Sequence, residues 1–323
     1  MRAVDLQLET WALDQEGRVL TARYSNPPFN YVGTTVIREL NLLTRAVERD
    51  PSIGAVVLTG GVEGQFLTHA DPAVFAGMLA VPHPPLPLSL MDVYARVQNV
   101  VLRIPGLADA VEKYGGGIGA GLAWGYRWKR AILRMNRSST VYIAAINGPA
   151  LGGGHELALA CDLRYAADSE DLLLGQIESV VGLIPGGGGT QRLARMVGTG
   201  HALEHILEGV PLTASDALEL GFVHRLVPKD ELVCAAQAIG ERLARRSPAT
   251  VAAIKRCVYF GTDRRLSGGL DLEQAGIVAA GSARVVPEVL RAFLEDQERL
   301  GDTPFLRDAE PWIEGTRIDQ VGT

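Results

Sequence analysis

The sequence predicts an α/β fold with a mainly helical C-terminal region. Two short apolar runs, 55–59 and 141–146, have the length and composition of buried strands. The stretch 36–47, before the first of these runs, carries apolar residues at helical spacing, so helix and strand alternate as in a layered domain. From about residue 231 the pattern becomes helical and polar-rich. We therefore expect an α/β core at 1–230 and a mainly helical C-terminal region at 231–323.

The first elements follow one another closely. Leu6–Leu13 and Val19–Arg23 are predicted strands around the turn at 14–17. Val36–Val47 is a predicted helix, because its apolar residues recur at intervals of three and four. Ala55–Thr59 is the next strand and ends at two glycines.

A long stretch separates this strand from the next one. Pro82 to Pro87 is a proline-rich break, after which Ser89 is expected to cap a helix reaching Ile104. The stretch 114–128 carries six glycines and is predicted to be a loop. It does not fit the dinucleotide fingerprint Gly-x-Gly-x-x-Gly, so a Rossmann site is not supported. We treat about 88–128 as an insertion in the core.

The following segments return to short alternating elements. The predicted order is strand Val141–Ile146, helix His155–Ala160, strand Asp162–Ala166, helix Gln191–Met196 capped by Thr190, helix Asp216–Leu220 capped by Thr213 or Ser215, and strand Phe222–Val227.

Composition excludes several classes of protein. The net charge of −6 argues against nucleic-acid binding, which requires a basic surface. The three cysteines are scattered without paired spacing, which indicates free thiols in a reducing compartment. No apolar run is long enough to cross a bilayer, and the first residues lack a signal-peptide pattern. We expect a cytoplasmic protein without membrane or nucleic-acid partners.

One segment has the pattern of an anion site. The strand 141–146 leads into Gly152-Gly153-Gly154 and then a helix, so free backbone N–H groups are expected at the helix N-terminus. Glycines would let a bulky group approach these N–H groups, which would stabilise an oxygen that becomes an enolate. Glu156 lies within the first turn of the helix.

A second glycine-rich segment, 175–193, carries Glu178. Two carboxylates near an apolar substrate can separate their pKa values and divide the acid and base roles. The alternatives are that the glycines form tight turns and that each glutamate only favours a helix dipole. The sequence by itself does not show that Glu156 and Glu178 meet.

Together the two segments resemble the signature of the enoyl-CoA hydratase/isomerase (crotonase) family. The resemblance covers about Val19–Ala76 and Ile132–Val227, with a weaker similarity to about Leu294. It implies a crotonase-like spiral of β-β-α units. It also implies trimers, or hexamers made of two trimers, completed by the C-terminal helices.

The resemblance implies roles for individual residues. The oxyanion N–H groups would come from Ala70 and Gly153, and Glu156 and Glu178 would be the two glutamates of a hydratase. Such an enzyme adds water across the α,β double bond of a 2-enoyl-CoA, and coenzyme A is part of this substrate rather than a separate cofactor. The predicted substrate-binding residues are Thr68, His69, Asp71, Gly152 and Lys255, and Arg245, Arg246 and Arg256 are further candidates for the phosphates.

Several positions depart from the family pattern. His69 stands where glycine is usual, and Ile177 stands where proline is common. His155 precedes Glu156, and we interpret it as a packed neighbour. The insertion ends in aromatic residues, of which Trp124 and Trp128 are expected to line the acyl pocket and influence substrate choice.

Other functions remain open at this point. Within the family they are double-bond isomerase, thioester hydrolase and decarboxylase; outside catalysis, the chain could bind acyl-CoA without converting it. His201-Ala-Leu-Glu204-His205 matches an inverted zinc-protease pattern, but no third ligand motif follows, so we expect no metal. The absence of Gly-x-Ser-x-Gly argues against a serine hydrolase of the α/β class.

Overall fold

The computed structural model describes residues 2–79 and 86–321. Its strands form one large and one small sheet. The strands are β1 (Trp11–Glu16), β2 (Val19–Tyr24), β3 (Ala55–Gly60), β4 (Val141–Ile146), β5 (Ala150–Leu151), β6 (Leu163–Ala167), β7 (Leu174–Gly175) and β8 (Arg225–Val227).

The large sheet has six strands in the order β1-β2-β3-β4-β6-β8. Only β1 and β2 are antiparallel, and the remaining neighbours run parallel. All six residues of β4 are buried, because parallel strands are covered on both faces. This burial is why β3 and β4 appear in the sequence as continuous apolar runs.

Helices cover the sheet and form the C-terminal region. They are α1 (Thr34–Arg49), α2 (Pro72–Leu79), α3 (Leu88–Val101), α4 (Leu107–Tyr114), α5 (Gly116–Arg137), α6 (Gly153–Ala160), α7 (Gly189–Glu208), α8 (Ala214–Glu219), α9 (Leu232–Ala244), α10 (Pro248–Gly261), α11 (Leu266–Gly281), α12 (Val286–Leu300), α13 (Pro304–Arg307) and α14 (Glu310–Ile313).

The chain repeats a β-β-α unit. Strand β4 is followed by β5 and α6, and β6 is followed by β7 and α7. The short strands β5 and β7 pair with each other in a second, parallel sheet. This arrangement confirms the predicted α/β fold with β-β-α units and a helical C-terminal region.

The N-terminal prediction was partly wrong. Strand β1 begins at Trp11, not at Leu6, and continues to Glu16. Before it, the backbone N–H groups of Glu9 and Thr10 donate to the Glu39 carboxylate on α1, at 2.7 and 3.0 Å. A side chain therefore satisfies backbone groups that a longer strand would have paired within the sheet.

The insertion is helical almost throughout, so the predicted loop at 114–128 is wrong. At Gly119 a Cβ would lie 2.2 Å from the Val111 carbonyl oxygen, so this glycine permits close packing of α4 against α5. Helix α3 begins at Leu88 after Pro87 without a side-chain cap, so Ser89 is not the predicted cap. Most of the proline-rich break, 82–85, lies outside the described residues.

Several later boundaries also differ. Thr213 caps α8 in a reciprocal pair with Asp216, as predicted. Helix α7 begins at Gly189 instead of after Thr190 and extends to Glu208. Strand β8 contains only 225–227, because 221–224 form a turn and bends.

Helix α9 belongs to the sheet rather than to a separate C-terminal region. A Cβ at Gly240 would lie 3.3–3.5 Å from Ile143, Ala55 and Val19, so the helix rests directly on β2, β3 and β4. We therefore group α9 with the core, although it follows the predicted boundary at 230.

The last helices fold back on the chain. Val285 is buried, and the Phe293 ring lies 5.3 Å from that of Trp312, so part of the apolar surface of the C-terminal helices is internal to the chain. Helix α11, in contrast, has no buried residue. No helix in the described part of the chain is long and apolar enough to cross a membrane.

Candidate active site

Two backbone N–H groups converge where α6 begins. A Cβ on Gly153, the first residue of α6, would lie 3.5 Å from the Ala70 nitrogen. Among the described residues, no carbonyl accepts from the N–H of Ala70 or Gly153. The neighbouring residue Gly152 has a φ of 47°, a conformation that favours glycine. The structure thus brings together the two predicted oxyanion donors.

Close backbone contact holds the Ala70 loop against α6. The Gly154 N–H donates to the Thr68 carbonyl at 2.9 Å, and a Cβ on Gly154 would lie 1.7 Å from the Leu67 oxygen. The side-chain amide of Asn30 donates to the Phe66 carbonyl at 2.7 Å from the other side. No residue with a side chain fits at 154 without moving the loop.

Glu156 is buried beside this pair of donors. Its Oε1 accepts backbone N–H groups from Gly187 at 2.7 Å and Gly189 at 2.8 Å. Burial raises the pKa of Glu156 to about 8, the two N–H groups partly offset the rise, and the charge of Glu178 adds to it. This direction favours the protonated form of Glu156 at neutral pH.

Glu178 lies next to Gly152, at the start of α6. Its Oε1 is 2.9 Å from the position of a Cβ on Gly152, and burial raises its pKa. Its Oε2 is buried and has no hydrogen-bond partner among the described residues. The two glutamates thus meet at one end of α6, which the sequence alone could not show.

The remaining residues of the first loop have local partners. The Thr68 hydroxyl donates to the Phe29 carbonyl at 2.5 Å. The His69 ring lies 4.6 Å from that of Tyr31, and its Nδ1 is 2.9 Å from the Ala70 oxygen. Asp71 accepts the Ala73 N–H at 2.9 Å, so its carboxylate caps the start of α2.

The structure contradicts the prediction that Lys255 binds phosphate. Its Nζ is buried and donates to the carbonyls of Met135 and Thr140 and to Asp162, at 2.8, 2.6 and 2.7 Å. An ammonium has three donors, so none remains for a ligand.

Two of the further candidates for binding phosphate also donate hydrogen bonds to other residues of the chain. Arg245 donates to Glu241 and to the Glu314 carbonyl, and Arg246 donates to the Trp312 carbonyl. These bonds attach the last helices to the end of α9. Arg256 is exposed on α10.

Trp128 connects the insertion to the site. Its Nε1 donates to the Gly187 carbonyl at 2.9 Å, and its ring stacks on that of Trp124 with centroids 5.4 Å apart. A Cβ on Gly187 would lie 2.4 Å from Trp128 Nε1 and 2.5 Å from Glu156 Oε2. Trp128 and Gly187 also line one cavity of about 430 Å³.

A buried polar network that the sequence did not predict lies behind the glutamates. The Gln176 amide nitrogen lies 3.2 Å from His155 Nδ1, and the Gln176 N–H donates to His205 Nε2 at 3.3 Å. Burial lowers the pKa of His155 to about 3, so the ring is neutral and Nδ1 can accept. His155 is the packed neighbour that we expected, and it contacts Phe222. Only its proximity to Glu156 in the sequence could have suggested the network.

The two histidines of the inverted zinc-protease pattern lie in different environments. The His201 side chain is 68% exposed and lies 3.6 Å from Glu204, whereas His205 belongs to the buried network. No group of three potential ligands among the described residues could hold a metal ion. The expectation that the chain binds no metal stays a prediction.

Comparison with known proteins agrees with this geometry. Residues 125–300 match the family model described as enoyl-CoA hydratase/isomerase. A probable enoyl-CoA hydratase of Bacillus subtilis is 32% identical, over 89% of this chain and 95% of the relative. The short-chain-enoyl-CoA hydratase of Clostridium acetobutylicum is 27% identical, over 91% of this chain and 97% of the relative.

Solved structures show the same fold. The crystal structure of an enoyl-CoA hydratase from Bacillus anthracis superposes with a TM-score of 0.71 and 28% identity, over 89% of this chain and 97% of that one. The fold and the paired N–H groups define a crotonase-type protein. The chain belongs to the enoyl-CoA hydratase/isomerase family.

Proposed function

We propose that the chain is an enoyl-CoA hydratase that adds water across the α,β double bond of a 2-enoyl-CoA thioester. The observation that carries the proposal is that the buried Glu156 and the half-buried Glu178 lie beside two free N–H groups. Of these glutamates, Glu156 has a pKa raised to about 8. The pair can therefore hold one proton and one negative charge near neutral pH.

Each part of the reaction has a group to perform it. The thioester oxygen accepts from the N–H groups of Ala70 and Gly153, which stabilise the enolate that forms when water oxygen bonds to the β-carbon. The ionised carboxylate takes a proton from that water, and the protonated one gives a proton to the α-carbon. Burial favours Glu156 as the protonated member. The sum is the addition of one water, and the pair again holds one proton.

The two carboxylates support hydration over the other reactions of the family. Water addition needs one group to activate water and one to deliver a proton, whereas a non-catalytic acyl-CoA binder would need neither. Double-bond isomerisation, thioester hydrolysis and decarboxylation share the N–H pair and are the outcomes that the assay must separate.

The test is the loss of ultraviolet absorbance as purified protein hydrates 2-enoyl-CoA substrates of several chain lengths. We expect turnover with wild-type protein and at least about a 10²-fold lower kcat for Glu156→Gln and Glu178→Gln. Glu298→Gln, an exposed glutamate on α12, is the matched control. Chromatography that finds a shifted double bond, free coenzyme A or carbon dioxide in place of the 3-hydroxyacyl thioester would contradict hydration.

We further propose a homotrimer or homohexamer. The support is apolar surface on α11, where Leu266, Leu270, Ile277 and Val278 are all more than half exposed. Such a contiguous surface usually marks a contact between chains. Light scattering should give three or six times the chain mass, and a stable monomer would contradict the proposal.

The substrate side of the proposal concerns coenzyme A and the acyl group. Coenzyme A arrives with the substrate, and we propose that no metal or other cofactor takes part in the cytoplasmic reaction. Thr68, His69 and Gly152 line the entrance to the N–H pair, and Trp128 limits the acyl end. Activity that disappears after dialysis against a chelator and returns with zinc would contradict the metal-free proposal.

A further inference from the structure

A second concave site lies on the side of the molecule formed by α1, α5 and the end of α3. It is a cavity of about 460 Å³, within the size range of small-molecule sites. Among the described residues, ten line it, of which seven are basic and one is acidic. The basic residues are Arg45 and Arg49 on α1, Arg103 after α3, and Lys129, Arg130, Arg134 and Arg137 on α5. We call this cavity the basic pocket.

The chain neutralises little of this charge. Glu48 pairs with Arg134 at 3.3 Å, and the Arg137 guanidinium lies 5.1 Å from the centre of the Phe260 ring. The other basic residues of the pocket form no ion pair with any described residue. Arg134 itself is buried at the pocket wall and donates to the Thr44 hydroxyl at 2.8 Å. Such a cluster in a chain of net charge −6 is unfavourable unless an anion offsets it.

Stabilisation by helix dipoles explains the position of only some of the basic residues in the pocket. Arg49, Arg134 and Arg137 lie in the last turns of α1 and α5, where a basic residue favours the helix dipole. Lys129 and Arg130 lie two turns before the end of α5, so the dipole effect does not reach them.

The basic pocket is separate from the thioester site. Arg49 is the last residue of α1, which leads into the first residue of β3, and α5 leads in the same way into β4. The loops that carry Ala70 and Gly153 follow the opposite, carboxyl ends of these two strands. The basic pocket therefore lies toward the amino ends of the strands.

The lining also indicates which anion fits. Leu133 is the one apolar side chain of the described lining, which contains no aromatic ring, so the pocket offers a nucleotide base neither an aromatic nor an extended apolar surface. Guanidinium groups match phosphate oxygens in geometry and charge. We propose that the basic pocket binds a compact ligand that carries several phosphate groups.

Isothermal titration with inorganic tripolyphosphate tests the proposal. We expect one binding event per chain that weakens as the salt concentration rises. Arg103→Gln and Arg130→Gln should each weaken it about ten-fold, the size of a lost charge-assisted hydrogen bond. Arg96→Gln is the matched control, because Arg96 lies on α3 outside the pocket and pairs with Asp92. Thermal unfolding would verify that each variant is folded.

Several results would overturn the proposal. These are the absence of binding at millimolar tripolyphosphate, an equal loss in Arg96→Gln, or unchanged binding in both pocket variants. Vesicles containing phosphatidylglycerol separate the two sources of phosphate. Retention by such vesicles but not by phosphatidylcholine vesicles, without tripolyphosphate binding, would assign the surface to a membrane and reject a soluble ligand.

Discussion

Glu156→Gln should make the protein more stable at alkaline pH while it removes activity. The raised pKa means that folded protein keeps a proton on Glu156 that unfolded protein releases. The native state is thus stabilised by this proton below about pH 4.5, and the contribution decreases as pH rises toward about 8. Glutamine resembles the protonated form and has no proton to lose.

The size of the effect follows from the same numbers. A rise in pKa from 4.5 to about 8 corresponds to at most about 5 kcal/mol of unfolding free energy, at about 1.4 kcal/mol per pH unit. The coupling to Glu178 makes this an upper limit. At roughly 2 °C per kcal/mol, the melting temperature of the variant should exceed that of the wild type by several degrees at pH 8.5.

The assay is thermal unfolding at pH 5.5, 7 and 8.5 for wild type, Glu156→Gln and the exposed control Glu298→Gln. The difference between wild type and Glu156→Gln should grow with pH, whereas the control should follow the wild type. A difference that stays constant from pH 5.5 to 8.5 would refute the inference that Glu156 is protonated in the folded state.

Four further substitutions and one control examine the surroundings of this carboxyl group and the insertion. Gly187→Ala should lower kcat at least ten-fold, because the new methyl group collides with the Glu156 carboxyl group and the Trp128 indole. Gly186→Ala, where a Cβ has no described neighbour within 4 Å, should be nearly neutral. His155→Leu should reduce kcat with little change in KM, because its ring positions the segment that carries the second glutamate; a changed KM with normal kcat would argue against a positioning role. Trp124→Ala and Trp128→Ala should change the ranking of acyl chain lengths by kcat/KM, and an unchanged ranking across short, long and branched substrates would remove the insertion from substrate selection.

The parts of the site that the sequence predicted are backbone features. The run into Gly153 and the strand before it specify a helix N-terminus directly, because glycine and apolar patterns act over a few residues. That Glu156 meets Glu178 depends on how two β-β-α units stack, which no local pattern contains. The burial of Lys255 with Asp162 depends on tertiary packing in the same way, so its charge in the sequence was compatible with an anion site.

The glycines also caused the largest error in the fold prediction. Six glycines between 114 and 128 favoured a loop, because glycine permits unusual backbone angles. In α5, however, Gly119 serves the opposite purpose, since the absence of its side chain lets a neighbouring helix approach. The sequence does not distinguish these two uses, because both depend on what lies beside the glycine.

Gly187 contacts both Trp128 and Glu156, and this contact limits the order in which substitutions can accumulate at the three positions. These three positions are far apart in the chain but share one small volume. Whether a substitution is tolerated at one of them therefore depends on the residues at the other two. In a scan of all double substitutions, Gly187→Ala should be harmful in the wild-type background and less harmful beside a smaller residue at 128. Position 156 should offer no such relief, since every smaller side chain there either removes the carboxyl group or, in aspartate, moves it away from the N–H groups of Gly187 and Gly189. We therefore expect neutral substitutions around this loop to occur at Trp128 before they occur at Gly187.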